Sequence, residues 1–334
     1  MPGNMRSIVH VRLVVFAAVA TLVAAIDPGR AEEWPAHPLT MVVPFAAGGT
    51  SDVIGRIVAE GLRLVLGQPI IVENVGGAGG MTGSARVAKA APDGYQLVLG
   101  NVGTHAQNQW LYKRPLYNAA MDFTPVALVT DESLVLVARR AFPASSLQEF
   151  VSYAKKNERS IQYGSAGTGG SNHLACVLLN SAIGIDVTHV PYRSGGQAMQ
   201  DLIAGRIDYQ CPSLPVAAPQ IAAKLVQPIA ILSIRRSVLL SDLPSAHEQG
   251  LTGFDIPSWY AIFLPKGASA SVVQKLNEAT VAALKIPSVQ DRLKEIGGEP
   301  VSPERSSPQY LEQLVRSEVE KWGRVIKQIG IGVD

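Results

Sequence analysis

Hydrophobic and polar positions follow two periods along this chain. Short apolar runs at 39–44, 69–73, 95–100, 125–130, 133–138, 161–164, 187–191, 207–210, 228–233 and 259–264 read as strands. Stretches at 51–66, 80–90, 104–112, 146–157, 171–183, 195–204, 216–223, 270–285, 288–296 and 307–329 repeat apolar residues at helical spacing and read as helices. The final helix is the best marked. Leu311, Leu314, Val315, Val319, Trp322, Val325 and Ile326 fall on one face, opposite Glu312, Arg316, Glu320 and Lys321. Strands alternating with helices predict α/β layers with mainly parallel sheets. No long polar linker or composition shift separates domains in series. The extended apolar segments 127–133 and 229–234 are therefore candidates for crossovers, where the chain leaves one lobe and later returns.

Glycine gathers at the ends of the expected strands. Pro44-Phe45-Ala46-Ala47-Gly48-Gly49-Thr50-Ser51-Asp52 follows the first, and Gly76 to Gly80 the second. Gly100 to His105 follows the third, and Gly164 to Ser171 a strand in mid-chain. A strand, a glycine turn and a helix start aim bare N–H groups at one spot, where the helix dipole favours negative charge. In open α/β sheets, ligands bind beyond the carboxyl ends of strands. Convergent loops of this kind suit a small anion, above all a carboxylate.

The amino terminus reads as a secretion leader. Arg6 and Arg12 precede an uncharged apolar run from Leu13 to Ala25, too short for a membrane span. Gly29 and Ala31 fit the small-residue rule, so cleavage is expected near Ala31 and the product is expected to be soluble and exported. The whole chain carries a formal charge of +2. The leader holds three arginines and one aspartate, so the remainder is formally neutral. Nucleic acid is a poor partner for such a chain. Cys176 and Cys211 are the two cysteines. Export permits a disulfide between them, while two buried thiols remain the alternative. Their spacing matches no metal site.

Other chemistries find little purchase. Gly77-Ala78-Gly79-Gly80-Met81-Thr82 lacks the third glycine of a dinucleotide fingerprint. No G-x-S-x-G elbow occurs, and Ser165 has one of its flanking glycines in place only. His247-Glu248 lacks the second histidine of a zinc protease motif.

The loops, in their order and spacing, resemble a known family. VVPFAAGGTSD, LGQPIIVEN, GAGGMTG, PDGYQLVLG, GTHAQN, YGSAGTGGSNHLA, HVPYRSGGQAMQDLIAGRID and LPKGASASVVQKLN run through nearly the whole exported part. They are similar to the solute-binding component of tripartite tricarboxylate transporters, the Bug receptors. The resemblance implies a two-lobed Venus flytrap of the type II periplasmic binding-protein kind, with two mixed sheets flanked by helices. It divides the chain into a signal peptide (1–31), a discontinuous lobe (32–128 with 234–334) and a second lobe (129–233). It implies a periplasmic monomer that captures a small carboxylate and docks on a membrane permease, without cofactor or catalysis. A receptor for a membrane signalling partner and a secreted α/β hydrolase are the alternative readings.

Carried over residue by residue, the resemblance points to Phe45, Ala46, Gly48, Gly49 and Thr50 in the first loop. It adds Thr104 and Asn108 as side-chain donors, then Ser165, Thr168, Gly169 and Ser171 in mid-chain. Asp208 matches an aspartate near the cleft that takes an amino or hydroxyl group. Asp52 reads as a helix N-cap. His105 and His173 each have a structural reading beside the binding one, and Arg193 reads as a rim or surface residue. Val75-Gly76 replaces the Arg-Pro of many relatives, and the cysteine pair is absent from many of them.

Overall fold

The computed structural model describes residues 33–256, 258–330 and 332. The leader expected over 1–31, with its cleavage near Ala31, lies outside these. In chain order the strands are β1 (Leu39–Val43), β2 (Ile70–Asn74), β3 (Gln96–Asn101), β4 (Phe123–Glu132), β5 (Val135–Arg139) and β6 (Gln162–Ser165). They continue with β7 (Thr188–Pro191), β8 (Tyr209–Gln210), β9 (Val226–Ile231), β10 (Ser258–Pro265) and β11 (Gly298–Pro300). The helices are α1 (Thr50–Leu66), α2 (Met81–Ala88), α3 (Asn108–Leu111), α4 (Leu147–Asn157) and α5 (Ser171–Ile183). They are followed by α6 (Gly195–Ile203), α7 (Leu214–Ala222), α8 (Ala270–Ala283), α9 (Pro287–Glu295) and α10 (Pro308–Ile329). Among the described residues, no helix is long and apolar enough to cross a membrane.

The strands form two sheets, both within the compact unit His37–Asp334. One runs β11-β4-β10-β3-β1-β2, from the two ends of the chain; the other runs β7-β6-β8-β5-β9, from its middle. β1, apolar but for the half-buried Thr40, sits inside its sheet, parallel to β2 and β3. β10 is buried along its whole length, as a strand covered on both faces must be. Trp259, Phe263, Tyr209 and Phe150 are the bulkiest of the fully buried side chains. On α10, Leu311, Val315, Trp322 and Ile326 are buried and Leu314, Val319 and Val325 pack partly buried beside them.

Both sheets are mixed, which corrects the expectation of mainly parallel pairing. β10 runs antiparallel to β3 and β4, and β5 antiparallel to β8 and β9. Periodicity reports which residues face inward but carries no information on strand direction. The reversed strands include β5 and β10, each the first strand after the chain passes from one sheet to the other, and the edge strand β11. β4 ends at Glu132 in one sheet and β5 begins at Val135 in the other, with Ser133 and Leu134 between. The return runs from β9 in one sheet to β10 in the other. Two mixed sheets flanked by helices are the architecture that the resemblance implied.

Candidate functional site

Four helices begin at one place. α1 starts after Gly49, which is extended (φ −95, ψ 173) and carries no capping side chain. α5 starts after Gly170 and α7 after Ser213, again with no side-chain cap bond. α6 starts after Ser194, whose hydroxyl accepts the Gln197 N–H at 3.3 Å. The first N–H groups of a helix have no partner inside it. Here Asp52 and Val53 make the first bonds of α1, both to Gly49 O, and His173 and Leu174 the first of α5, both to Gly170 O. The N–H groups of Thr50, Ser51, Ser171 and Asn172 thus stand ahead of the ladders. Each start adds a positive partial charge.

These starts enclose an inner cavity of about 30 Å³, lined also by Phe45, Asn101, Leu134, Pro212, Val216 and Tyr260. None of its lining residues is charged. The volume has room for a water molecule or two and not for an organic acid. The walls touch directly. Thr50 Oγ1 and Ser213 Oγ share a hydrogen bond at 2.5 Å, and Ala46 N–H donates to Arg193 O at 3.4 Å. A Cβ at Gly196 would collide with the carbonyl oxygen of Gly48, so only glycine lets the α6 turn seat against the first loop. A Cβ at Gly79 would stand 2.5 Å from Thr168 O, and φ there is +59. An outer cavity of about 460 Å³ opens beside the inner one, lined by Ala46, Gly76 to Gly79, Gly167, Thr168 and Arg193 among others.

Asp52 shapes the first loop without capping it. The helix starts one turn earlier than an Asp52 cap requires, so Gly49 is the N-cap and Asp52 lies in the first turn. Its carboxylate accepts Gly48 N–H at 3.1 Å, Arg56 Nε at 3.0 Å and Asn74 Nδ2 at 3.0 Å. Burial pushes its pKa up, but these three partners outweigh burial and hold it below the usual carboxylate range. Asn74 also donates to Phe45 O at 3.1 Å, which fixes the loop from the β2 side.

Of the residues that the sequence singled out, Phe45, Gly49, Thr50 and Ser171 line the inner cavity, and Ala46 and Thr168 the outer one. Gly48 abuts α6 instead, with its N–H taken by Asp52. Thr104 is buried in reciprocal bonds with Asn101, and it is Asn101 that reaches the cavity. Asn108 donates to Gly79 O at 3.0 Å, behind the wall. Gly169 turns its N–H toward His173 Nδ1 at 3.3 Å. Asp208 is drawn away altogether: it pairs with Arg139 Nε at 2.9 Å and accepts Gln162 N–H at 2.8 Å. Arg193 reaches the outer cavity.

Ser165 and His189 form a hydrogen bond of 2.7 Å, the pairing a hydrolase would need. Ser165 is fully buried, however, and its hydroxyl also accepts Gly167 N–H and donates to Gly167 O. It holds the loop after β6. Sequence reading missed Asn172, Ser194, Gly195, Ser213 and Tyr260. Ser194-Gly195-Gly196 and Pro212-Ser213 carry a signal that could have found them, a serine after a strand and before a helix. Tyr260 lies inside a strand and has none. Cys176 on α5 and Cys211 beside Pro212 are disulfide-bonded, which ties two walls of the cavity together.

The buried titratable groups set a pH dependence. Burial pushes His105 down to about 3 and His189 to about 4. Burial, with His189 alongside, pushes His173 down to about 3. His105 stacks on Phe263 at 3.9 Å and bonds Thr104 Oγ1 at 2.9 Å, a structural role. A depressed histidine contributes stability above its unfolded pKa of about 6.5, lost as pH falls toward the folded value. Glu132 acts oppositely. Burial pushes it up to about 8, Asp131 adds to the rise, and the Ser213 hydroxyl offsets part of it without completing a bond. Its contribution is full below the unfolded pKa of about 4.5 and is lost as pH rises through the folded one. Between about pH 6.5 and 8 only the Glu132 loss remains, at most about 1.4 kcal/mol per pH unit. Urea unfolding should therefore show stability falling over that range, and Glu132→Gln should flatten the fall. A wild-type stability that rises there would contradict this assignment.

Comparison with known proteins agrees with the geometry. The family profile described as "Tripartite tricarboxylate transporter family receptor" matches residues 54–331. The periplasmic binding protein BugD is 36% identical, with a TM-score of 0.87 over 90% of this chain and 99% of that one. MatC from Rhodopseudomonas palustris, solved with bound malate, is 38% identical, with a TM-score of 0.85 over 88% of this chain and 100% of that one. A second R. palustris protein, solved with adipate, is 33% identical, with a TM-score of 0.86 over 90% of this chain and 99% of that one. The chain belongs to the tripartite tricarboxylate transporter receptor family.

Proposed function

We propose that this protein is a periplasmic receptor that closes two lobes over a small organic carboxylate and passes it to a transporter permease in the membrane. The lobes are 32–128 with 234–334 and 129–233, released from a leader cleaved near Ala31. The receptor acts as a monomer and makes or breaks no bonds. The observation that carries this reading is the convergence of four helix starts on a cavity without a charged side chain. Such a site holds an anion through N–H groups and hydroxyls, each charge-assisted bond contributing about 1.5–3 kcal/mol. Thr50, Ser51, Ser171, Asn172 and Ser213 are the proposed donors. Malate and adipate, carried by the two relatives above, are both dicarboxylates, which supports an organic acid here.

Because the inner cavity is smaller than any such acid, binding requires the facing turns to part and close again. The outer cavity is the proposed approach. A thermal-shift series with carboxylates of graded length tests the function. An acid at 100 times its Kd should raise stability by about 2.7 kcal/mol. Primary amides of the same skeletons should produce no shift. A response to amides equal to that of the acids would overturn the reading.

A further inference from the structure

Glu132 ends β4 where the chain crosses between the sheets, opposite Ser258 on β10 and Gly298 on β11. Only 6% of it is exposed, and neither carboxyl oxygen has a hydrogen-bond partner. Arg305, the cation on the neighbouring residue, is spoken for: it pairs with Asp131. The groups that act on the carboxyl are Asp131 beside it, Ser213 at the start of α7 and Tyr260 on β10. Ser213 and Tyr260 both line the inner cavity. A buried acid with no partner is costly, and native proteins keep few such groups.

The acceptors around the cavity sharpen the point. Asn101 Oδ1 takes Thr104 N–H, and Asn172 Oδ1 takes Ala166 N–H. The hydroxyls of Thr50 and Ser213 bond each other. Gln210 Oε1, behind Gly195, is also unpartnered, but it is neutral at every pH. The helix starts supply donors for a carboxylate. Glu132 supplies the opposite: an acceptor, and one whose charge can change.

We propose that Glu132 is a specificity residue of this site, accepting a hydrogen bond from an amino or hydroxyl group that the bound acid carries beside its carboxylate. The proposal rests on the carboxylate reading above. A plain second carboxylate at this position would repel the ionised form and hold Glu132 protonated, so it would bind without the proton release that an ammonium brings.

The test is calorimetric titration of the wild type, Glu132→Gln and Glu132→Ala with matched acids. Succinate, malate and aspartate share a four-carbon skeleton bearing no donor, a hydroxyl or an amino group; glutarate, 2-hydroxyglutarate and glutamate extend it by one carbon. In at least one series the wild type should bind a donor-bearing acid at least about tenfold tighter than its donor-free partner. Glu132→Ala should erase that preference. If the donor is a hydroxyl, Glu132→Gln should keep it. If it is an ammonium, Glu132→Gln should lose it, and wild-type binding near pH 7 should release a proton, read as a heat that varies with the buffer. Circular dichroism and melting curves of the variants verify that they fold. Donor-free acids binding as tightly as the others, or a preference that survives in Glu132→Ala, would overturn the proposal and leave the carboxylate reading standing. Failure of every carboxylate to bind would overturn both.

Discussion

Replacing Gly196 with alanine should weaken binding of the acid by roughly two orders of magnitude, a loss of about 2.7 kcal/mol. The new methyl group would meet the carbonyl oxygen of Gly48, which is backbone and cannot swing aside. It would hold the α6 turn away from the first loop and keep the donors of the two sides from gripping one ligand. In the unliganded protein the lost contact is offset in part, because alanine is better than glycine in a helix by about 1 kcal/mol. Gly195 provides the control one position earlier. A Cβ there meets only Asn172 Nδ2 at 3.5 Å and Gln210 Nε2 at 3.7 Å, both side-chain ends. Gly195→Ala should bind within a few-fold of wild type. Equal affinities for the two variants, by calorimetry, would remove the contact between the turns from the account.

Loss of the Cys176–Cys211 bridge should be the largest stability change available to a conservative substitution. The two positions are 35 residues apart, and closing a loop of that size contributes roughly 3–4 kcal/mol through the unfolded chain. The double variant Cys176→Ala with Cys211→Ala should melt on the order of 10 °C lower. Both positions are fully buried, so reductant should act on the native protein only slowly. The bridge also joins α5 to the turn that begins α7, so the variant should bind more weakly as well as melt earlier. A melting temperature within a degree or two of wild type would show that the two walls hold their positions without it.

The element pattern was readable because burial and period coincide. α1, α4, α5 and α10 fall within a residue or two of their apolar stripes. Family and fold were legible in the strand-end loops, whose order spans the chain. Strand direction was not, since a β10 running either way has the same inward face. The cavity was legible only where one local motif makes it, as at Phe45, Gly49, Thr50 and Ser171. Residues such as Asp208 and Thr104 have the right chemistry, but partners distant or adjacent consume it: Arg139 for the one and Asn101 for the other. Tyr260 and Glu132 are the reverse case. Nothing near Tyr260 in the chain marks it, and Asp131-Glu132 reads as a solvated pair in a turn whereas Glu132 is buried at the end of β4; both positions follow from β4 and β10 pairing beside the crossover.

A crystal structure of the protein with a bound acid would locate the anion outright. A carboxylate is expected in the inner cavity, its oxygens about 3 Å from N–H groups at the starts of α1 and α5, with no arginine or lysine in contact. An acid seated instead in the outer cavity against Arg193, or in the separate cavity beside His173 and His189, would contradict that expectation.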